Sequence, residues 1–210
     1  MNIIKINYAE CKPWLLLKHY AKRMPPISYS FGLVNENKLI GIVCYGVPVS
    51  SSLRKGVCGE YYSKNVLELN RLVINSNSPK NSASFLVGKT LKMLPRDAIV
   101  VSFADTQQGH IGYVYQATNW IYTGLSAKRT DWKIKGMEHL HGATIADMSR
   151  GKENRAQYMR DTFGDSFYLQ ERSRKHRYVF FRDKRMEKKL KYKKEKYPKG
   201  ESSHYDCIDI

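Results

Sequence analysis

The sequence predicts an α/β (α+β) fold, in which helices flank a central, mixed and twisted β-sheet. Residues 66–124 hold a strand-like run, a polar loop leading into an amphipathic segment, and a second apolar run; this order is typical of a βαβ unit. Apolar runs of strand length also lie on both sides of this stretch, between turn residues. Hydrophobic residues make up 42% of the 210 residues, enough for one packed core.

The N-terminal part of the chain is predicted to form a strand, a helix and a hairpin. The predicted bounds are 2–8 for the strand, 10–22 for the helix, and 29–34 and 38–45 for the two hairpin strands. Pro13 fits the first turn of the helix, where its missing N–H costs nothing. A small, polar and basic segment at 50–56 is predicted to be a loop that is free to contact a substrate or a phosphate backbone.

The central unit carries the clearest functional signals. Its two strands are predicted over 66–74 and 98–104, and its helix over 82–94. Ser82 suits the N-cap of this helix, and the free N–H groups of a helix start bind anions such as a pyrophosphate. An ordinary capped helix is the alternative. Asp105 follows the second strand, at the edge where open α/β sheets bind ligands.

The remaining segments are predicted to close the sheet. A helical face over 111–118 leads to a strand at 120–124, and two further strands at 167–169 and 178–181 are predicted to pair with each other. Residues 1–182 would then form a single domain. Residues 183–210 are predicted to be a basic, flexible extension, because the lysine-rich run shows little apolar periodicity. Truncation after Arg182 is therefore expected to leave the fold intact.

The charge of the chain indicates an anionic partner. The formal net charge is +17, and residues 172–199 alone hold 14 basic and 3 acidic residues. Such an excess favours binding to nucleic acid, with an affinity that falls steeply as salt is added. The candidate DNA contacts are Arg54, Lys55, Lys128, Arg129, Arg172, Arg174 and Lys175.

The cysteines and the hydropathy of the sequence indicate the cellular compartment in which the protein is expected to act. Cys11, Cys44, Cys58 and Cys207 are far apart and form no CxxC pair, which argues against a zinc ribbon and a disulfide scaffold and fits a reducing cytoplasm. No apolar run approaches the roughly 18 residues of a membrane span, so no membrane partner is expected. The histidines at 110, 139 and 141 are candidate metal ligands, but no spacing is diagnostic and none is assigned.

Six short segments together resemble the phage Mom DNA-modification family. They are YGVP at 45–48, SSSL at 50–53, ELNRL at 68–72, NSAS at 81–84, ADT at 104–106 and GHIGYVYQATNW at 109–120. The resemblance covers most of residues 15–182. The order of strand, helix, three-strand meander, helix, strand, helix and strand also resembles the GNAT N-acyltransferase fold.

The resemblance implies a DNA-modifying enzyme that converts N6 of adenine in phage DNA to a methylcarbamoyl (carbamoylmethyl) adduct, which protects the DNA from host restriction enzymes. It implies double-stranded DNA as a partner and acetyl-CoA or a related acyl donor, held at Asn81, Ser82 and Ser84. The 77–83 loop departs from the usual Q/R-x-x-G-x-G/A motif, because it has no glycine. The enzyme would be phage- or prophage-encoded and act in the host cytoplasm. A metal such as iron is left open, because plain acetyl transfer would give an acetamide instead of this adduct.

The resemblance also implies an active site built from His19, Tyr20, Arg71, Ser82, Asp105 and Tyr115. Arg71 would hold an anionic cosubstrate or transition-state charge, and Ser82 would cap the helix and bind the donor. Asp105 would position or deprotonate the adenine amine, while Tyr115 would be the general acid. His19 and Tyr20 would shape the base pocket or relay protons. The residues alone also allow a packing role for His19, Tyr20 and Tyr115 and a turn-capping role for Asp105.

Two other functions stay open at this stage. One is a non-catalytic DNA-binding protein on a degenerate acyltransferase scaffold, which the irregular 77–83 loop motivates. The other is an N-acyltransferase that acts on a protein or small-molecule amine. For an enzyme, Asp105→Asn is expected to keep the melting temperature and abolish modification. A structural aspartate predicts the reverse, lost stability with residual activity.

Overall fold

The computed structural model describes residues 1–140 and 142–201, which form two compact units. Among these residues, the first unit contains 1–125 and 175–201, and the second contains 126–140 and 142–174. The second unit is the segment between two strands of the main sheet, and it lies within the range 1–182 that is predicted to form a single domain. No helix among the described residues has the length and apolar character needed to cross a bilayer.

Nine strands and six α-helices are present in the described part of the chain. The strands are β1 Asn2–Lys5, β2 Tyr29–Asn35, β3 Lys38–Gly46, β4 Val66–Ile74, β5 Ile99–Asp105, β6 Ile121–Leu125, β7 Arg129–Ile134, β8 Phe167–Arg172 and β9 Lys175–Phe181. The helices are α1 Tyr8–Pro13, α2 Ser51–Cys58, α3 Ser82–Leu91, α4 Tyr113–Ala117, α5 Gly142–Asp147 and α6 Arg155–Phe163, and a π-helical turn follows α1 at Trp14–Lys18.

The first unit is built on a seven-stranded sheet in the order β1-β2-β3-β4-β5-β9-β6. Strands β4 and β5 are parallel, and the other neighbours are antiparallel. Helices α3 and α4 cover one face, where Leu86 and Leu91 of α3 join the largest apolar cluster. Helix α1 supplies Cys11, and helix α2 supplies Val57, to two further apolar clusters that also include strand residues such as Ile42 and Ile99. A mixed sheet flanked by helices confirms the predicted fold class.

The parallel pair β4–β5 opens towards its carboxyl end. The two strands pair only over 66–68 and 99–101, although β4 continues to Ile74 and β5 to Asp105. Strand β5 stays paired with β9 along its other edge as far as Asp105. The backbone groups of β4 and β5 that face each other beyond this point are thus not joined in a ladder, and a gap opens between the strands.

Several local predictions were wrong. The predicted helix 10–22 ends early, because α1 stops at Pro13 and a π-helical turn leads the chain to His19. The predicted loop 50–56 is mostly helix α2, capped by Ser50 Oγ, which accepts the Leu53 N–H at 3.1 Å. The two closing strands do not pair with each other. Strand β8 pairs with β7, and β9 inserts between β5 and β6, which are long-range pairings that periodicity cannot reveal.

Residues 183–200, called the C-terminal strap below, lie against the first unit instead of extending as a flexible tail. A 3-10 helix forms at 184–189, and Met186 and Leu190 pack on the apolar cluster beneath α2. Tyr197 Oη donates to the Trp120 carbonyl oxygen at 2.6 Å. The anchoring apolar residues are few and irregularly spaced, so the lysine content concealed them. The rest of the predicted tail, 202–210, lies outside the described residues.

Truncation after Arg182 is therefore expected to lower the free energy of unfolding by about 2–4 kcal/mol, because Met186, Leu190 and Tyr192 lose partly buried apolar contacts. Urea denaturation of the full and truncated chains measures this difference. Equal denaturation midpoints would show that the strap contributes nothing to stability.

Candidate active site

A cavity of about 780 Å³ lies where β4 and β5 separate. Its walls are residues 69–74 of β4, the loop and helix start at 75–84, residues 103–104 of β5, and parts of α4. The cavity brings together seven of the residues that the sequence singled out: His19, Tyr20, Arg71, Asn81, Ser82, Ser84 and Tyr115. All of its lining belongs to the first unit. The gap between the strands is thus the candidate active site.

Arg71 lines this cavity with a guanidinium that is only partly satisfied. Its Nη1 donates to the Asn70 carbonyl oxygen at 2.6 Å and its Nη2 to the Arg23 carbonyl oxygen at 3.3 Å. Within the described residues, the buried Nε of Arg71 and the buried Oδ1 of Asn70 have no hydrogen-bond partner. A buried polar group left without a partner costs about 1–3 kcal/mol. Burial lowers the pKa of Arg71, yet the group stays cationic at neutral pH, so it favours a ligand that brings an anionic acceptor.

The start of α3 differs from the predicted cap. Asn81, not Ser82, is the N-cap residue, with a left-handed backbone (φ +67°) that asparagine tolerates. Its side chain caps no N–H group of the helix. Ser82 is the first helical residue, and its hydroxyl donates to the Pro79 carbonyl oxygen at 2.6 Å. A helix start of this kind, without a side-chain cap and on the wall of a cavity, is open to an anion.

Tyr115 presents a protonated phenol to the cavity. Its Oη lies 2.8 Å from Ser102 Oγ, which also lies 2.8 Å from the Leu69 carbonyl oxygen. Serine has one hydroxyl proton, so when Ser102 donates it to the carbonyl it can accept the proton of Tyr115. Burial raises the pKa of Tyr115 to about 12, with the Ser102 hydroxyl opposing and the charges of Tyr20 and Glu68 adding to the rise. At neutral pH the phenol is therefore available as an acid.

His19 and Tyr20 form an aromatic pair on the cavity wall. The rings are stacked with centroids 4.4 Å apart, and the ring of His110 lies edge-on to Tyr20 at 6.3 Å. His19 Nδ1 accepts the Ala21 N–H at 3.0 Å, so the proton of the neutral ring is on Nε2. Burial raises the pKa of Tyr20, and the charge of Asp105 adds to this. The pair thus offers flat surface together with polar groups that stay uncharged.

The neutral state of His19 makes stability depend on pH. Burial, helped by Arg71 and His110, lowers its pKa to about 3, whereas a histidine in the unfolded chain has about 6.5. Between these values the unfolded chain binds a proton that the folded chain does not. This contribution to stability is therefore complete above pH 6.5 and is lost progressively as the pH falls towards 3. The expected loss at pH 5 is about 2 kcal/mol.

Denaturation at pH 7 and pH 5 measures this loss, and His19→Gln should remove that part of the pH dependence. Identical pH dependence in the two proteins would show that His19 protonates in the folded state as freely as in the unfolded chain.

Asp105 is buried beside the cavity but is not part of its lining. Its Oδ2 lies 2.8 Å from Lys175 Nζ, and its Oδ1 accepts the Gln107 N–H at 3.1 Å, which caps the turn at 106–108. These are the contacts of a structural aspartate. The same carboxylate also acts on the cavity, because its charge raises the pKa of Tyr20.

Asp105→Asn is expected to lower the free energy of unfolding by about 1–3 kcal/mol, because the ion pair with Lys175 is lost. This differs from the unchanged melting temperature that the sequence alone led us to expect. Lys175→Gln breaks the same pair but keeps the carboxylate, so it is the matched control. Thermal denaturation and an activity assay well below both melting temperatures separate the roles: a positioning role predicts lost activity only in Asp105→Asn.

Two of the predicted DNA contacts lie on α2 of the first unit. Lys55 Nζ pairs with Glu60 Oε1 at 2.6 Å, and Arg54 has a buried Nε without a hydrogen-bond partner among the described residues. A third, Lys175, is engaged by Asp105. Two of these three side chains are thus paired with a carboxylate of the protein, and the third is partly buried, which their sequence context did not reveal.

The other predicted DNA contacts lie in the second unit. Arg129 and Arg172 stand directly opposite each other across the β7–β8 pair, and both are exposed, as is Lys128. Arg174 Nε instead donates to the Ser126 carbonyl oxygen at 2.7 Å. Like charges placed opposite each other destabilise a strand pair, and Asp131, whose Oδ1 lies 4.0 Å from Arg172 Nη1, offsets part of this cost.

No group of three or more histidine, cysteine, aspartate or glutamate side chains is arranged as a metal site within the described residues. His110 lies in the cavity lining, and His139 belongs to the second unit. His141, the third candidate, lies outside the described residues.

Sequence reasoning missed three residues around the cavity: Glu68, Asn70 and Ser102. Each is a polar residue within a strand-like apolar run, which was the available signal. Burial raises the pKa of Glu68, against the charges of Arg71 and Lys175. The cavity is thus supported by polar groups on both separating strands.

Comparison with known proteins bears out the resemblance that the six segments predict. The family described as the Mom protein family matches residues 1–199. Methylcarbamoylase mom of Escherichia phage Mu is 30% identical over 190 residues, which cover 87% of this chain and 77% of that protein.

Two solved structures show weaker likeness. An N-acetyltransferase from Staphylococcus aureus Mu50 has a TM-score of 0.39 and 12% identity, over 74% of this chain and 68% of its own. The GphF GNAT-like decarboxylase in complex with isobutyryl-CoA has a TM-score of 0.44 and 10% identity, over 87% of this chain and 100% of its own. The family match spans nearly the whole sequence and includes every residue of the cavity: this chain belongs to the Mom protein family.

Proposed function

We propose that this protein is an enzyme that converts N6 of adenine in DNA to a methylcarbamoyl (carbamoylmethyl) adduct and draws on an acyl-CoA donor. The observation that carries the proposal is the cavity between β4 and β5, which joins an anion-ready helix start, a half-buried arginine and a protonated phenol. Membership of the Mom family and the 30% identity to a methylcarbamoylase support the group that is added.

The acyl-CoA donor fits the helix start and the separated strand edges of the cavity. The start of α3 suits a pyrophosphate, and Lys80 beside it adds a positive charge. The separated edges of β4 and β5 offer backbone groups to an extended, amide-bearing arm, as an open strand edge does to a peptide. The volume of about 780 Å³ lies within the range of small-molecule sites. These features favour acetyl-CoA or a related compound.

The adenine fits the aromatic side of the cavity. Its N6 amine takes part in base pairing, so the base must leave the duplex before chemistry can occur. The stacked rings of His19 and Tyr20, with His110 edge-on, provide the flat surface on which a flipped base stacks. The N6 lone pair is delocalised into the ring, so the protein must supply alignment and electrostatic stabilisation.

Each cavity residue then has a role that matches its state. Arg71 binds the anionic part of the cosubstrate or the charge that develops in the transition state, because its Nε awaits an acceptor. Tyr115 keeps its phenol protonated, with a pKa of about 12, so it can protonate the CoA thiolate when an amine nitrogen displaces that thiolate from the thioester carbon and forms the amide of the adduct. Joining the methyl carbon to N6 replaces a C–H bond, so that step requires a separate two-electron oxidant. Asp105 lies beside the cavity without lining it, so we assign it a positioning role, through the charge that it exerts on Tyr20 of the cavity wall.

The restriction pattern of DNA from expressing cells tests this function. Plasmid DNA freed of protein should resist enzymes whose sites contain adenine and be cut normally at sites of G·C pairs alone. DNA from cells that express Arg71→Lys should be cut at both. Because the DNA is stripped of protein, resistance must then be covalent.

The same experiment separates the two alternatives. A non-catalytic DNA-binding protein would protect DNA only until the protein is removed. An acyltransferase for protein or small-molecule amines would leave the DNA sensitive while an amine becomes acylated. If protein-free DNA from cells that express the wild-type protein is cut normally at adenine-containing sites, the proposal is contradicted, whichever alternative then holds.

A further inference from the structure

We infer that the C-terminal strap is a fixed binding track for the phosphate backbone of duplex DNA, and not a flexible basic tail. The inference rests on the proposed function for the identity of the polyanion, and it adds where and how the duplex is held. Three observations carry it: the strap is anchored, its cations are exposed, and its apolar and aromatic side chains contact the protein.

Backbone and side-chain contacts anchor the strap along its whole length. The Lys191 N–H donates to the Val57 carbonyl oxygen at 2.9 Å, and the Glu195 N–H donates to the Tyr122 carbonyl oxygen at 2.9 Å. Near its end, the Gly200 carbonyl oxygen accepts the hydroxyl of Tyr113, a cavity residue. The strap therefore runs from α2 past β6 to the rim of the candidate active site.

The cations of the strap point into solvent. All nine lysine and arginine residues of residues 183–200 are exposed. Lys184 and Lys194 form ion pairs with Glu187, and Arg185 forms one with Asp183. The side chain of Lys191 lies beside Gly59, at the end of α2. The side chains of the other five form no hydrogen bond or ion pair with any described residue: Lys188, Lys189, Lys193, Lys196 and Lys199. Anchored backbone with unengaged ammonium groups loses little entropy when it binds phosphates.

The apolar and aromatic residues of the strap contact the protein, although Tyr197, whose ring lies 6.3 Å from that of Tyr178, stays 41% exposed. Met186 and Leu190 pack inward, and the ring of Tyr192 is covered by the Arg177 guanidinium at 3.5 Å. Binding in a bilayer interface requires exposed apolar side chains that insert into it. Binding to a single strand relies on free aromatic rings on which bases stack. A track of lysines alone instead suits the regular phosphates of a duplex, without sequence preference.

The dimensions agree with such a partner. The irregular part of the strap, residues 190–200, spans at most about 35 Å at about 3.3 Å per residue. One turn of duplex DNA is about 34 Å long. A duplex that follows the strap would thus be led over one turn towards the cavity rim at Tyr113.

Two triple variants with equal loss of charge test the inference in the full chain. Lys193→Gln/Lys196→Gln/Lys199→Gln removes unengaged cations of the strap. Lys5→Gln/Lys12→Gln/Lys38→Gln removes exposed cations from α1 and the β1–β3 end of the sheet. All six side chains are exposed, so both variants should keep the wild-type melting temperature. Binding to a fluorescent duplex is measured by anisotropy over a series of salt concentrations.

The slope of log affinity against log salt concentration is negative, and its magnitude should decrease by about 2–3 in the strap variant. Each phosphate contact that is lost removes about 0.9 from that magnitude. In the control variant it should change by less than about 1. Equal slopes in the two variants would overturn the inference. So would a loss confined to single-stranded DNA, or a loss confined to vesicles of phosphatidylserine and phosphatidylcholine.

The outcome is independent of the adenine chemistry. A strap-dependent slope in a protein that modifies no adenine would leave the track standing and sink the proposed function. Modified adenine together with equal slopes in the two variants would support the proposed function and rule out the track.

Discussion

Replacing Arg71 by lysine is expected to slow adenine modification about 100- to 1000-fold, the usual effect of removing one preorganised donor from a developing charge. Lysine keeps the positive charge but loses the planar fork, and with it the buried Nε–H that has no partner in the described protein. The bound anion would then be held by a single, movable ammonium group.

The matched control for this change is Arg96→Lys, because Arg96 is exposed and lies outside the cavity. The rate is read from the yield of modified deoxyadenosine at equal amounts of folded protein. A rate in Arg71→Lys within a few-fold of wild type would show that the reaction needs only the charge of this residue, or none of it.

Replacing Tyr115 by phenylalanine is expected to slow modification about 100- to 10,000-fold, the range for loss of a general acid. The ring contacts with Trp120 and Tyr178 are kept, so the free energy of unfolding should change by only about 1 kcal/mol. Because the pKa of Tyr115 is about 12, the wild-type phenol should remain active from neutral pH up to about pH 10.

Tyr45→Phe is the control for Tyr115→Phe. Tyr45 Oη forms a similar buried hydrogen bond, 2.7 Å from Thr90 Oγ1, but the residue lies in the core and not in the cavity lining. This variant should lose comparable stability and keep its activity. Equal rates for the two variants would remove Tyr115 from the reaction.

Much of the first unit could be predicted from the sequence, because its strands are continuous apolar runs with clear turn residues between them. The runs at 38–45, 66–74 and 98–104 lie within one or two residues of the strands in the structure. The separation of β4 from β5 could not be predicted. It depends on how two distant strands diverge after three paired residues, and no local pattern records that.

The candidate site shows the same division. Arg71 and Tyr115 could be named because the segments around them resemble those of a family, and the structure places both on one cavity. The position of the helix cap could not be predicted, because asparagine and serine are about equally favourable N-cap residues and only the left-handed backbone of Asn81 distinguishes the two positions. The second unit was missed for a third reason: Trp132, Ile145 and Met159 build its core from segments with no common period.

The most direct test of the central claim is the mass spectrum of nucleosides from DNA of cells that express this chain. Our account predicts a new deoxyadenosine species heavier by one carbamoylmethyl group, present with wild-type protein and with Arg96→Lys, and nearly absent with Arg71→Lys and Tyr115→Phe. Unmodified deoxyadenosine in DNA from cells with folded wild-type protein would contradict it. An adduct of undiminished yield in the two cavity variants would contradict it equally, because the reaction would then occur elsewhere.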